Sequence, residues 1–129
     1  MIARDIMTRD VITVGSTATV KEAAQILTQQ QLSGAPVVNQ QGQIVGVVSE
    51  ADIVANKGRQ VKDIMSKNVC SIGEETAVEE IAALMMTRKI KRLPVMRGEK
   101  LVGIVSRADI VGAIAAGKHV ELPGPIYDL

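Results

Sequence analysis

Two short phrases carry the residue types that could do chemistry: Ser49-Glu-Ala-Asp52 within "GVVSEAD" and Ser106-Arg-Ala-Asp109 within "GIVSRAD". Each sets a hydroxyl and a carboxylate three residues apart, behind a Gly-apolar-apolar triplet. One reading is a helix start, in which Ser is the N-cap and the acid reaches back to the cap amide or favours the positive helix end. That leaves open why the acid is Asp both times, since Glu reaches back more easily. The other reading turns the same geometry toward a ligand. A strand feeding a helix N-terminus leaves free amides pointing outward, where a hydroxyl meets a phosphate or sugar. A carboxylate one turn in accepts hydrogen bonds from both hydroxyls of a ribose.

The elements that must position these phrases are themselves duplicated. "RDIMTRDVITVG" at 4–15 returns as "KDIMSKNVCSIG" at 62–73, "VKEAAQIL" at 20–27 as "VEEIAALM" at 78–85, and "SGAPVV" at 33–38 as "KRLPVM" at 91–96. "IVGVVSEADIV" at 44–54 returns as "LVGIVSRADIV" at 101–111, after a one-residue loss between the polar turns "NQQGQ" and "RGEK". Repeats on this scale are supersecondary units. Each reads β-α-β-β-α. A short strand ("VITV"; "VCSI") comes first, then a helix whose apolar residues fall at i, i+3, i+4 and i+7 (Val20, Ala23, Ala24, Leu27; Val78, Ile81, Ala82, Met85). Thr19 with Glu22, and Thr76 with Glu79, resemble capping boxes. A strand opened by Pro36 or Pro94, a Gly-bearing hairpin, a second strand and the Ser-x-x-Asp helix complete the unit. The expected divisions are a first repeat at 1–57, a second at 58–116 and a tail at 117–129. Neither half buries much surface alone, so a paired core is expected.

Composition narrows the function classes. The core must be aliphatic, because the chain has one Tyr and neither Phe nor Trp. It lacks the aromatic platforms on which single-stranded nucleic acids stack, and a net charge of +1 gives no electrostatic footprint for DNA or RNA. The lone Cys70 excludes an internal disulfide and suits a reducing cytoplasm. No leader-like stretch opens the sequence, and no run approaches the roughly 18 apolar residues of a spanning helix. His119 has no companion at metal-ligand spacing, no catalytic triad can be drawn, and no phosphate-binding Gly loop is present. Cys70 reads as a small apolar residue lining the core or a ligand pocket, and Met7, Met65, Met85, Met86 and Met96 read as pliable core filler. Glu74, Glu75, Glu79 and Glu80 read as a solvated helix start. Neither a metal nor a catalytic set is expected.

"DIMT"/"DIMS", "SGAPVV"/"RLPVM" and "GVVSEADI"/"GIVSRADI", in this order and spacing over roughly residues 2–115, resemble a tandem pair of cystathionine-β-synthase (CBS) domains, a Bateman module. The resemblance implies an α/β (α+β) fold of two repeats packed sheet to sheet about a pseudo-twofold axis. It implies clefts for adenosine-containing ligands (AMP, ADP or ATP) and pairing into a homodimer. By position, Asp52 and Asp109 resemble ribose-binding acids, with Ser49 and Ser106 at the neighbouring hydroxyl. Val11, Ile12, Val69 and Cys70 fall where adenine is enclosed. Ser33, Gly34, Ala35 and Pro36, with Lys91, Arg92, Leu93 and Pro94, fall at the pocket edge. Thr8 and Ser66 occupy a sugar or phosphate contact. Arg88 and Lys89 read as a solvated helix face, whereas Lys91 and Arg92 read as phosphate contacts. Glu50 against Arg107 is the one difference inside the repeated phrase. The function implied is a non-catalytic cytoplasmic sensor, read by a separate effector protein and requiring no cofactor. The alternatives are a ligand-free dimerisation module and a sensor of S-adenosylmethionine or NAD.

Overall fold

The computed structural model describes residues 1–118; of the tail expected at 117–129, the part from His119 on lies outside the described residues. The chain forms two compact units that do not follow the repeat boundaries. One contains Met1–Val11, Cys70–Gly98 and the described residues 102–118; the other contains Ile12–Val69 and Glu99–Leu101.

In the unit built on Ile12–Val69, β1 (Val14–Gly15) pairs parallel with β2 (Gly34–Val38), which pairs antiparallel with β3 (Ile44–Ser49). Helix α2 (Val20–Gln30) presents Ala23 and Leu27 to a core of Val14, Ala35, Val37, Val48 and Val61. Thr19 caps it in a full box: its Oγ1 accepts from Glu22 N at 3.0 Å, and Glu22 Oε1 accepts from Thr19 N at 3.3 Å. Pro36 sits inside β2, not at its start, and it is tolerated because β1 reaches only Val37 and Val38. Helices α3 (Glu50–Ala55) and α4 (Val61–Ile64) follow, the second a single turn in the connector that supplies Val61 and Met65 to the core.

The other unit repeats the plan. It holds α1 (Ala3–Ile6), β4 (Ile72–Gly73), α5 (Val78–Arg88), β5 (Arg92–Arg97), β6 (Lys100–Ser106) from Val102 on and α6 (Arg107–Ala115), with the sheet ordered β4-β5-β6. Its core joins Ile81, Met85, Leu93, Val95, Val105 and Ile110 to Ala3 and Met7 of the N-terminal segment. Each unit buries a cluster of its own. The burial missing from each half is supplied by a borrowed segment carrying the "DIM" phrase.

Three sequence expectations change in detail. The strands expected at "VITV" and "VCSI" shrink to Val14–Gly15 and Ile72–Gly73. The N-cap of α5 is Ala77, with no side-chain bond, while Thr76 Oγ1 accepts from Gly73 N at 3.0 Å in the preceding turn. In the repeat register Thr19 answers to Ala77, so the second capping box was read one residue early. Met86, expected in the core, is exposed on α5.

Candidate functional site

Both Ser-x-x-Asp phrases fold as complete capping boxes. Ser106 is the N-cap of α6: Asp109 N donates to its Oγ at 3.2 Å, and Asp109 Oδ2 accepts from Ser106 N at 2.8 Å and from Ser106 Oγ at 3.0 Å. Ser49 and Asp52 repeat this on α3 at 3.3, 2.9 and 3.0 Å. The preference for Asp has its answer here. The short carboxylate lies flat against the cap and commits a single oxygen to it. The second oxygen, Oδ1, takes no part in the cap.

In the unit that holds Asp109, that second oxygen, Oδ1, accepts from Thr8 Oγ1 at 3.3 Å. Thr8 is brought there by the N-terminal segment, which bridges to β6 through Thr8 N to Ile104 O at 2.8 Å and Ile104 N to Thr8 O at 2.9 Å. The carbonyl of Lys91 accepts from Arg107 N at 3.2 Å, tying the start of β5 to the start of α6. Lys91 is exposed and Arg92 is half-buried. Thr8, Val11, Cys70, Lys91, Arg92, Ser106 and Asp109 therefore belong to one unit.

The remaining candidates gather in the other unit. Ser66 bridges to Val47 of β3 by a reciprocal pair of 2.9 Å bonds, and Ser33 O accepts from Glu50 N at 2.9 Å. Unlike Thr8, Ser66 turns its Oγ to its own loop, accepting from Asn68 N at 3.4 Å. Asp52 Oδ1 has no hydrogen-bond partner among the described residues. Ile12 and Val69 fall here while Val11 and Cys70 fall in the first unit, because the chain crosses between units at each of these pairs. Ala35 and Leu93 are core side chains, so what they offer a ligand is backbone.

The Glu50/Arg107 difference lies elsewhere than the sequence suggested. At about 100° per helical residue, Arg107 and Asp109 are about 200° apart around α6. Arg107 lines a groove with Met85, Met86, Lys89 and Val111, on the side of the helix away from the carboxylate. One acid whose proton affinity is shifted, Glu74, lies outside the cluster. The Arg97 guanidinium grips it at 2.7 and 3.0 Å and holds its carboxyl below the ordinary 4.5. The sequence pattern reads Glu74 as a solvated acid; its partner lies on β5, beyond the reach of local pattern. Among the described residues no cluster of His, Cys, Asp and Glu could hold a metal, and no helix is long and apolar enough to cross a membrane.

The CBS-domain profile matches residues 3–57 and again 61–116. The chain belongs to the CBS-domain family. As a tandem CBS pair it is similar to inosine-5'-monophosphate dehydrogenase of Methanocaldococcus jannaschii, with 36% identity over 84% of this chain and 23% of that enzyme. The chain thus spans less than a quarter of the enzyme's length. Among solved structures it is similar to CBSX2, a CBS-pair protein of Arabidopsis thaliana, in complex with AMP (TM-score 0.85, 28% identity, 92% of this chain and 98% of that one). It is also similar to the CBS pair of protein MJ0100 with 5'-methylthioadenosine and S-adenosyl-L-methionine (TM-score 0.82, 30% identity, 92% and 98%).

Proposed function

We propose that this CBS pair is a non-catalytic regulatory sensor of adenosine nucleotides, AMP, ADP or ATP. The observation that carries the reading is the division of labour at Asp109. One oxygen closes the helix cap, and the other faces a hydroxyl at 3.3 Å, the contact a ribose would make. Asp52 is the equivalent acid in the other unit. Thr8 and Ser66 attend sugar or phosphate, and Val11, Ile12, Val69 and Cys70 enclose the base. Lys91 and Arg92 neutralise phosphate oxygens through charge-assisted bonds. The AMP complex of CBSX2, at a TM-score of 0.85, supports the ligand class.

A sensor acts only if its ligand prefers one arrangement of the protein over another. The arrangement is read by a second copy in a homodimer and by a separate effector chain in the cytoplasm. The S-adenosylmethionine complex of MJ0100 supports a second reading, in which a sulfonium nucleoside occupies the site that has no Lys91–Arg92 counterpart.

A thermal-shift screen with AMP, ADP, ATP, S-adenosylmethionine and NAD tests both. A ligand at a hundred times its Kd adds about 2.7 kcal/mol to stability. A flat response to all five overturns nucleotide sensing in favour of a dimerisation module. Unchanged AMP and ATP affinity in Arg92→Ala overturns the phosphate role.

A further inference from the structure

An ionised carboxylate accepts hydrogen bonds at about four places, two on each oxygen. In both caps Oδ2 is filled by the amide and the hydroxyl of the capping Ser. The bonds run from Ser49 N and Oγ to Asp52 at 2.9 and 3.0 Å, and from Ser106 N and Oγ to Asp109 at 2.8 and 3.0 Å. What remains for a ligand is Oδ1, and there the two acids differ. Asp109 Oδ1 already accepts from Thr8 Oγ1 at 3.3 Å, which leaves it one open place. Asp52 Oδ1 has no partner among the described residues, which leaves it two.

The backbone does not make this difference. Thr8 and Ser66 answer to each other in the repeat register, and each is held by a reciprocal pair of bonds to the matching strand residue, Ile104 or Val47. The side chains make it. Ser66 Oγ accepts from Asn68 N at 3.4 Å on its own loop, whereas the branched Thr8 side chain, stiffer at χ1, rests on the carboxylate.

The two neighbouring hydroxyls of a ribose fill two such places. At Asp52 both are open, so a sugar that lacks one hydroxyl leaves a half-buried, charged acceptor short of a bond. At Asp109 a full ribose takes over the place that Thr8 holds. A sugar with one hydroxyl takes the open place there, and Thr8 keeps the other. Resting on the adenosine-nucleotide reading above, we propose that the two sites differ in sugar specificity and that Thr8 sets the difference. The Asp52 site selects ribose. The Asp109 site takes ribose and deoxyribose almost equally, which extends its ligands to deoxyadenosine nucleotides.

Titration calorimetry of the full chain with AMP, 2'-deoxy-AMP and 3'-deoxy-AMP tests this. Asp109→Asn and Asp52→Asn each keep an oxygen for the cap and replace the ligand-facing acceptor with an amide donor, so the other site is read alone. In Asp109→Asn each missing hydroxyl weakens binding about tenfold or more, the worth of a bond to a charged acceptor. In Asp52→Asn the loss stays within about threefold, because one bond replaces another. Adding Thr8→Val to Asp52→Asn removes the stand-in hydroxyl, and the loss there rises to about tenfold. A merely structural role for Thr8 would lower all three affinities together and leave their ratio unmoved. The wild type gives the check that needs no variant: 2'-deoxy-AMP weakens one of its two sites and spares the other. Equal ratios at the two sites, or a ratio that Thr8→Val does not move, overturns the inference and leaves AMP binding standing. A wild type that holds AMP at one site only overturns it as well. A wild type that binds none of the three nucleotides overturns the reading on which it rests.

Discussion

Replacing Asp109 by Ala separates the cap from the ligand contact, because each has its own readout. The cap loses the bonds from Ser106 N and Ser106 Oγ at 2.8 and 3.0 Å. Ser106 Oγ still accepts from the residue-109 amide, so the loss is the reciprocal half of the box, about 1 kcal/mol, and the acid's place at the helix start, about 0.5. Unfolding entropy of about 2.1 cal/mol/K per residue, over 129 residues, is about 270 cal/mol/K, so 1.5 kcal/mol lowers Tm by about 5–6 °C. If Asp109 also accepts from both ribose hydroxyls, two bonds to a charged acceptor are lost, together about 3 kcal/mol, or a hundredfold in Kd at that site. Thr19→Ala is the control, since it removes a box of the same kind on α2 and touches no candidate contact. It lowers Tm by about 4 °C and leaves nucleotide affinity alone. Scanning calorimetry reads the cap, and titration calorimetry reads affinity and stoichiometry. The ribose assignment fails if Asp109→Ala and Asp52→Ala both lose stability as calculated yet bind AMP with wild-type affinity and stoichiometry.

Other perturbations probe the frame. An alanine Cβ at Gly46 would lie 2.6 Å from Met65 Sδ and 2.7 Å from the carbonyl of Ser66, whereas at Gly103 the nearest backbone atom, Thr8 O, is 3.1 Å away. The thioethers can move but the bridged Ser66 carbonyl cannot, so Gly46→Ala costs about 2–3 kcal/mol and Gly103→Ala about 1–2 by urea unfolding. Ala77→Ser supplies the cap that α5 lacks, with Glu80 at the box position, and raises Tm by about 4 °C in a thermal melt. Arg97 lowers the Glu74 pKa, so their pairing stabilises the fold above pH 4.5 and that contribution fades as pH falls through the depressed value. The Tm gap between wild type and Arg97→Ala therefore narrows in acid, and a gap that widens there contradicts the pairing.

Much of the architecture was legible because it was written twice. Helical periodicity placed Leu27 and Met85 in their cores, and the Ser-x-x-Asp caps formed at both sites. What escaped was non-local. Nothing in "ARDI" or "VKDI" says that these single helical turns lend Ala3, Met7 and Val61 to a core built mainly from other segments. Nor does any local pattern show that Thr8 meets Asp109, a residue 101 positions away. The second capping box was misread for a simpler reason: Thr76 and Glu79 have the right spacing, and only the repeat register gives the N-cap to Ala77. At the candidate site, residue type was readable and direction was not. Arg107 sits two residues from Asp109 in sequence and about half a turn of helix away in space.

That separation has a mechanical consequence. Helix α6, nine residues long, carries Asp109 on one side and Arg107, Val111 and Ile114 on the other. Its first turn is tied to Thr8 through the carboxylate and to Lys91 through the Arg107 amide. A ribose bound as proposed would take over the Thr8 contact and so remove one of those two ties on the helix that bears Arg107. If the ribose and homodimer readings both hold, binding at the carboxylate and pairing of two copies would be linked through this one helix. By thermodynamic reciprocity, any effect of nucleotide on dimer affinity must be matched by an equal effect of dimerisation on nucleotide affinity. Titrating AMP into the wild type at protein concentrations above and below its dimer dissociation constant measures that link. Equal AMP affinity in dimer and monomer shows the two faces of α6 to be independent.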